Sequence, residues 1–264
     1  MSSRNRPLRV NVVELMAFGL VLAIVVGVTS YRAGGVQTAR QLQPYLSRAD
    51  DELRPLESRF GQARHSRQAE EWMIRDFFSD TRDGVFADVG ANHYRRDSNT
   101  YFLETQLGWS GVAVEPQVKF AADYAAHRPR TRFIPLFVSD RSNEKTILYV
   151  PSNDLIASTS RDFIAGEGGD NVMPVEVNTT TLDDVLTRAG ITKLDFLSID
   201  VELHEPEVLR GFSLDRWKPR LVCVESHVEV RQVIVDHFIT RGYTIVGKYL
   251  RADSENLWFA PLGR

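Results

Sequence analysis

The sequence predicts an α/β fold with a mostly parallel sheet. Several short apolar runs each end on a carboxylate, and a predicted helix lies between the first two of them. The runs lack alternation, as expected of parallel strands that are buried on both faces. One glycine, Gly90, follows the first run, where the chain must turn sharply or let a ligand approach its backbone. The runs and their terminal acids are 85–87 with Asp88, 112–114 with Glu115, and 196–199 with Asp200.

The composition indicates a protein with one substantial core. The chain has 264 residues and 43% hydrophobic content, enough for one such core and little more. Its net charge of −3 argues against a nucleic-acid partner, because surfaces that bind nucleic acid are usually basic. The single cysteine, Cys223, lies in an apolar run and excludes an intramolecular disulfide.

The first 31 residues predict a membrane anchor. Residues 1–11 are basic and polar, and residues 12–31 include about 17 consecutive residues without a charge. A helix of that length covers roughly 25 Å of a bilayer core of about 30 Å. We therefore expect a single-pass, uncleaved signal-anchor helix over 12–31. A cleaved signal peptide is the main alternative, because Val28, Thr29 and Ser30 resemble a small-residue cleavage site.

A polar stem over 32–65 is expected to join the anchor to a globular domain over 66–264. The helix at 67–78 carries its apolar side chains on one stripe, which predicts a docking face for the sheet. Ser98 or Asn99 is expected to cap the next helix. The later elements are predicted as a helix at 119–127, a third strand at 133–138 ending at Ser139 and Asp140, a strand at 146–150, a helix after Thr181, a helix at 230–240, and strands at 243–246 and 257–260, one of them antiparallel. The residues up to 175 are predicted as a long loop, which is either functional, with a substrate lid as one role, or disordered.

A second group of polar residues follows the strands at 196–199 and 221–224. In open α/β sheets, ligands bind outside the carboxyl ends of the strands. If these two strands are neighbours, the polar residues meet at one edge of the sheet. They are Asp200, Glu202, His204, Glu225 and His227.

Three interpretations of this group stay open. In the first, His204 or His227 acts as a general base near neutral pH. In the second, the carboxylates hold a divalent cation such as Mg²⁺ or Mn²⁺; the candidate ligands are Asp200, Glu202 and Glu225. In the third, which is purely structural, Glu202 and Glu205 cap the following helix and pair with Arg210.

The turn between the first two strands predicts a nucleoside cofactor without phosphates. A carboxylate that closes the second strand, here Glu115, is placed to accept hydrogen bonds from ribose hydroxyls. The turn has one glycine where a pyrophosphate site has three, so it is poorly built to bind a dinucleotide. S-adenosylmethionine fits this pattern, although an ordinary α/β domain with two surface acids fits the spacing as well.

Several ordered motifs resemble the FkbM family of S-adenosylmethionine-dependent methyltransferases. They extend over roughly 70–261 and comprise EEWMIRDFF, DVGANHYRRDSNTYFLE, LGWSGVAVEP, LDFLSIDVELHEPEVLRGF and NLWFA. The resemblance implies a class I methyltransferase fold, with a seven-stranded, mostly parallel sheet whose last strand is antiparallel. It also implies O-methylation, usually of sugars or natural products.

The resemblance assigns roles by position. Asp88, Gly90 and Asn92 would bind the methionine end of the cofactor, Glu115 its ribose, and Asp200 would face the transferred methyl group. Further cofactor-binding residues are expected at Asn99, Ser139 and Asp140, the last two near the adenine, and the candidate catalytic residues are Asp200, His204 and His227.

The chain departs from the family pattern at two positions. Leu203 stands where the family usually has a glycine, and Tyr94 stands where many members have glycine or proline. If the position of Leu203 needs a positive φ, leucine is strained there or the loop is rearranged. These departures keep a second hypothesis open, a membrane-tethered binding module that retains the fold without activity. For an active enzyme we expect a small-molecule, glycan or lipid acceptor and a catalytic domain on the cytosolic side of the membrane.

Overall fold

Ten strands form one seven-stranded sheet and one three-stranded sheet in the computed structural model, which describes residues 50–263. The strands are β1 (Val85–Val89), β2 (Ser110–Val114), β3 (Thr131–Ile134), β4 (Phe137–Val138), β5 (Lys145–Val150), β6 (Met173–Thr180), β7 (Phe196–Ile199), β8 (Leu221–Glu225), β9 (Tyr243–Ile245) and β10 (Asn256–Pro261). The helices are α1 (Asp50–Phe60), α2 (Glu70–Phe78), α3 (Tyr101–Leu107), α4 (Ala121–His127), α5 (Arg161–Gly166), α6 (Leu182–Arg188), α7 (Glu205–Arg210), α8 (Leu214–Trp217) and α9 (Arg231–Ile239).

The main sheet has the order β3-β2-β1-β7-β8-β10-β9. The pairs from β3 to β8 are parallel, whereas β10 runs antiparallel to both of its neighbours. The central strands β1, β7 and β8 are almost wholly buried, which explains their unbroken apolar runs. This arrangement confirms the predicted mostly parallel sheet with an antiparallel last strand.

Helix α2 packs against this sheet through the predicted stripe. Ala69, Trp72, Met73 and Phe78 are each at most 3% exposed and belong to the same core cluster as Trp258 of β10. Helix α1 lies within the residues predicted as a polar stem, and it joins this cluster through its leucines. Its two contributing side chains are Leu53 and Leu56.

The predicted membrane anchor lies outside the described residues, as do the basic segment before it and most of the predicted stem. Within residues 50–263, no helix has the length and apolar character needed to cross a membrane. The orientation of the chain at a membrane therefore stays a prediction.

The predicted third strand is wrong in its length, because the chain breaks at Pro135. Proline has no N–H to donate to a sheet, and the Leu136 N–H turns back to the Ile134 carbonyl at 2.9 Å. Strand β3 therefore ends before the proline, and β4 joins the small sheet in the order β4-β6-β5. Consequently Ser139 and Asp140 follow the small sheet and not the main one.

The predicted stop of α3 at Gly108 and the predicted cap of α6 at Thr181 are confirmed, whereas the N-cap of α3 is Thr100 and not Ser98 or Asn99. The Ser98 hydroxyl accepts a hydrogen bond from the Tyr101 N–H at the start of α3, and Thr181 caps α6 through the Asp184 N–H. Helix α3 stops at Gly108, which has a φ of +72°.

The register of four neighbouring strands in the main sheet shows which residues lie at their carboxyl ends. Val114, Val89, Ile199 and Val224 are aligned across β2, β1, β7 and β8. The next residue of each strand therefore lies at the same carboxyl edge. These residues are Glu115, Gly90, Asp200 and Glu225.

Gly90 is required at this edge because two backbones meet there. Its φ is +82°, and a Cβ atom at this position would lie 1.7 Å from the carbonyl oxygen of Asp200. The contact is with backbone, which cannot move aside as the end of a flexible side chain can. Only glycine fits this approach of the β1 turn to the end of β7.

We expect Gly90→Ala to lower the free energy of unfolding by at least about 3 kcal/mol, because it combines an unfavourable φ with a backbone clash. Gly190→Ala is the matched control. Gly190 also has a positive φ, +73°, but its added Cβ meets nothing within 4 Å, so we expect a loss of about 1 kcal/mol. Urea unfolding of both variants measures the difference, and equal losses would contradict the close-approach explanation.

Candidate active site

A cavity opens at the carboxyl edge of β1, β2, β7 and β8. Its volume is about 990 Å³ with its open mouth included. Seven of the residues predicted for the site line it: Gly90, Asn92, Asn99, Glu115, Asp200, Glu202 and Glu225. Five others do not line it: Asp88, Ser139, Asp140, His204 and His227.

Glu115 is fixed by the turn that follows β1. Its Oε2 accepts a hydrogen bond from the Asn92 N–H at 3.2 Å, and its Oε1 accepts one from the Gln117 N–H at 2.9 Å. Burial raises the pKa of Glu115, and these two hydrogen bonds oppose that rise. Since each carboxylate oxygen has a second lone pair, Glu115 can still accept hydrogen bonds from a ligand in the cavity.

Asn92 presents an unused acceptor at the same place. Its φ is +42°, a conformation that asparagine adopts more readily than most residues. Its Oδ1 is buried and receives no hydrogen bond within the described residues. A buried acceptor without a donor is costly, so a ligand that donates here would be stabilised.

Asp88 lies beneath the turn and not on the cavity wall. Its Oδ2 accepts a hydrogen bond from Thr100 Oγ1 at 2.8 Å, and Arg128 Nη2 donates to that hydroxyl at 3.1 Å. Burial raises the pKa of Asp88, while Thr100 and Arg128 oppose the rise. The geometry gives Asp88 a positioning role for the turn and the start of α3, and direct cofactor contact stays a prediction.

Four acidic side chains lie close together at the carboxyl edge of β7 and β8, and we call them the acidic group: Asp200, Glu202, Glu205 and Glu225. Asp200 lines the cavity and is exposed to solvent there; desolvation followed by the charges of Glu225 and Glu202 raises its pKa well above the usual value. For Glu202, burial outweighs the attraction of His227 and raises the pKa to about 7. For Glu205, burial and the charge of Glu225 raise the pKa to about 8.

His227 is the counter-ion of this group. Its Nε2 lies 3.3 Å from Glu202 Oε2 and 3.2 Å from Glu225 Oε2. Hydrogen bonding to these two carboxylates raises the pKa of His227 to about 10, against the effect of burial. The imidazole therefore holds a proton at neutral pH, which argues against the predicted role of His227 as a general base.

His204 belongs to a separate group next to the small sheet. Its Nε2 lies 3.1 Å from Ser139 Oγ, and its ring packs on Phe137 at 4.7 Å. Burial lowers its pKa, so the ring is neutral at neutral pH. It is chemically suited to be a base but lies outside the cavity wall. Its catalytic role, like the proximity of Ser139 and Asp140 to the adenine, stays a prediction.

The structural interpretation of Glu202 and Glu205 is wrong in its partner. Arg210 pairs with Glu207 at 2.6 Å and with Asp140 at 3.5 Å. Glu205 instead accepts a hydrogen bond from the Val201 N–H at 3.1 Å, while Glu202 pairs with His227.

The two departures from the family pattern have different consequences. Leu203 has a φ of +76° and follows Glu202 at +54°, so leucine occupies a conformation that favours glycine. Tyr94 fits its surroundings, because its ring stacks on His127 at 4.7 Å and its carbonyl accepts a hydrogen bond from Arg128 at 2.8 Å.

The cavity is strongly acidic. Of the described residues, the charged ones that line it are Arg67, Glu70, Asp97, Glu115, Asp154, Asp200, Glu202, Glu225 and Glu255. Sequence reasoning missed five of these residues: Arg67, Glu70, Asp97, Asp154 and Glu255. Arg67 precedes α2, and Asp154 lies in the predicted long loop, so no strand-end pattern marks either residue. The Asp154 carbonyl accepts a hydrogen bond from Gln117 Nε2 at 3.3 Å, which places this loop against the cavity.

We expect Glu205→Gln to flatten the pH dependence of stability. The ordinary glutamate pKa is 4.5 and that of folded Glu205 is about 8. Between these values the folded state binds more protons than the unfolded state, so stability falls as pH rises. Because glutamine does not titrate, the variant lacks the contribution of Glu205 to the slope of unfolding free energy against pH. That contribution is at most about 1.4 kcal/mol per pH unit.

Urea unfolding at pH 5, 7 and 8.5 in EDTA-containing buffer measures this effect. Glu229→Gln, at an exposed position, is the control for the loss of one negative charge. The same slope in Glu205→Gln and wild type would contradict the assignment.

Comparison with known proteins identifies the family. The model of the methyltransferase FkbM domain matches residues 88–241, which is more than half of the chain and includes every strand from β2 to β8. A search of curated proteins finds no match. The match covers the β1 turn, the acidic group and the small sheet, and with the observed strand order it shows that the chain belongs to the FkbM methyltransferase family.

Proposed function

We propose that this methyltransferase uses S-adenosylmethionine and methylates a hydroxyl group. The observation that carries the proposal is the acidic cavity at the ends of β1, β2, β7 and β8, with Glu115 at the place of a ribose-binding carboxylate. The cofactor carries a sulfonium and an ammonium group, which a wall rich in carboxylates favours.

The described residues fit this cofactor in their chemistry. Glu115 retains lone pairs for ribose hydroxyls, and Asn92 Oδ1 is a buried acceptor without a donor. The single turn glycine, Gly90, makes a dinucleotide a poorer fit.

When bound, S-adenosylmethionine supplies a methyl group on a positively charged sulfur, which is a good leaving group. The chain then has two tasks, to hold the acceptor oxygen in line with that methyl group and to receive the proton of the hydroxyl. Asp200 is the candidate for the second task, because its carboxylate lines the cavity at the end of β7.

The acceptor is proposed as a hydroxyl of a glycan, a lipid or a natural product. The predicted membrane anchor favours an acceptor at the membrane, and the site of synthesis of the cofactor favours a cytosolic catalytic domain. Transfer of the labelled methyl group of S-adenosylmethionine into glycan, lipid and small-molecule fractions of the source cells tests this choice.

Leu203 supports a second candidate function, a binding module without methyltransferase activity. Its φ of +76° strains the turn between Asp200 and α7. Melting of the protein with S-adenosylmethionine and with NAD separates the candidates. A rise in melting temperature with the first ligand alone supports the proposed enzyme, and no rise at millimolar concentration supports the silent module.

We expect Glu115→Gln to weaken S-adenosylhomocysteine binding at least tenfold, about 1.4 kcal/mol. The amide loses one acceptor and turns N–H groups toward the N–H groups of Asn92 and Gln117. Isothermal titration calorimetry measures the affinity, with Asp123→Asn on the exposed side of α4 as the control. Wild-type affinity in Glu115→Gln would remove this residue from the site.

We expect Asp200→Asn to lower methyl transfer by roughly 10²-fold or more, because the amide cannot receive the acceptor proton. Cofactor affinity should stay within a few-fold of wild type. Single-turnover transfer from labelled S-adenosylmethionine to the fraction that wild type methylates provides the measurement. Unchanged transfer would exclude Asp200 as the base.

A further inference from the structure

Two side chains of the acidic group and the neighbouring His227 bring atoms that could ligate a metal ion close together. One atom each from Glu202, Glu225 and His227 lies within 4.8 Å of the other two. His227 Nε2 lies 3.2 Å from Glu225 Oε2 and 3.3 Å from Glu202 Oε2. Neighbouring ligands of an octahedral ion with bonds of about 2.1 Å are roughly 3 Å apart. The observed separations are therefore close to those of two neighbouring ligand positions.

An unsatisfied oxygen beside these three side chains points independently to a ligand. Glu205 is 0% exposed, and its Oε2 has no hydrogen-bond partner within the described residues. Its carboxyl group lies close enough to Glu225 and His227 to interact with both charges. Glu225 is 8% exposed, and its Oε2 lies 3.2 Å from His227 Nε2, its ion-pair partner. Buried acceptors such as Glu205 Oε2 are costly unless a cation or a donor satisfies them.

We propose that Glu202, Glu225 and His227 bind a divalent cation of the Mg²⁺ or Mn²⁺ class. Two carboxylates and one imidazole suit a hard or borderline ion, and three protein ligands leave coordination positions open. His227 releases the proton on its Nε2 to solvent when that nitrogen binds the cation. Glu225 and Glu202 also line the cavity, so those open positions are accessible to a substrate.

The role of the cation rests on the proposed function, whereas its binding does not. The site lies beside Asp200, at the end of the strand next to β8. A cation there would bind the acceptor oxygen and lower the pKa of its hydroxyl. The favoured acceptor is consequently one that offers an oxygen ligand to a hard cation, as the hydroxyls of a sugar do.

Mn²⁺ is the probe for this site, because its electron paramagnetic resonance signal distinguishes free from bound ion. The full chain, purified in detergent and treated with EDTA, is expected to bind one Mn²⁺ below millimolar concentration. Glu225→Gln and His227→Gln should each weaken binding at least about tenfold. Glu255→Gln is the matched control, because Glu255 lines the same cavity but lies outside the ligand group; we expect a change within about twofold.

Two results would overturn the proposal. One is that wild type binds no Mn²⁺ up to millimolar concentration. The other is that Glu255→Gln weakens binding as much as Glu225→Gln, which would indicate a general effect of charge. Circular dichroism checks the fold of each variant, and Glu202→Gln replaces any variant that does not fold.

Cofactor binding is measured separately in EDTA. Loss of S-adenosylhomocysteine binding there, with Mn²⁺ binding intact, rejects the proposed function alone. Absence of Mn²⁺ binding, with S-adenosylhomocysteine binding intact, rejects only the metal site.

Discussion

The site depends on the close approach of the Gly90 backbone to the Asp200 carbonyl. This contact joins the turn after β1, which carries Asn92, to the end of β7, which begins the acidic group. The Asp200 N–H also donates to the Val89 carbonyl at 3.0 Å, so the parallel pairing extends to the last residue before the cavity. A side chain on Gly90 would push these two halves apart. Gly90 therefore allows the close approach of the two backbones, whereas other site residues contribute polar atoms.

The second feature of the site is a cluster of acidic side chains at one edge of the sheet. Burial raises the pKa of Asp200, Glu202 and Glu205, and a protonated His227 offsets part of the repulsion. Such an arrangement costs stability, and proteins retain it where charged ligands are handled. A sulfonium cofactor and a divalent cation both supply positive charge to this edge, so the two proposals share one electrostatic cause.

Sequence reasoning located the sheet and the acids that close its strands, because both leave local signals. The same signal, a carboxylate after an apolar run, nevertheless marks a cavity-lining residue at Glu115 and a residue outside the cavity wall at Asp88. Asp88 is the fourth residue of β1 and lies one position before the aligned row, so its side chain meets Thr100 and not the cavity. Glu115 is one position beyond that row. Register across strands decides between these outcomes, and a single strand does not encode it.

Other parts of the site depend on long-range packing. Pro135 was visible, but nothing local indicated that the chain after it would join a second sheet with β6. Asp154 reaches the cavity because its carbonyl bonds to Gln117, 37 positions away. The most direct test of the account is a crystal structure of the protein with S-adenosylhomocysteine. We predict the ribose hydroxyls at the Glu115 carboxylate and the sulfur on the side of Asp200. A ligand bound outside this cavity, or a ribose without contact to Glu115, would contradict it.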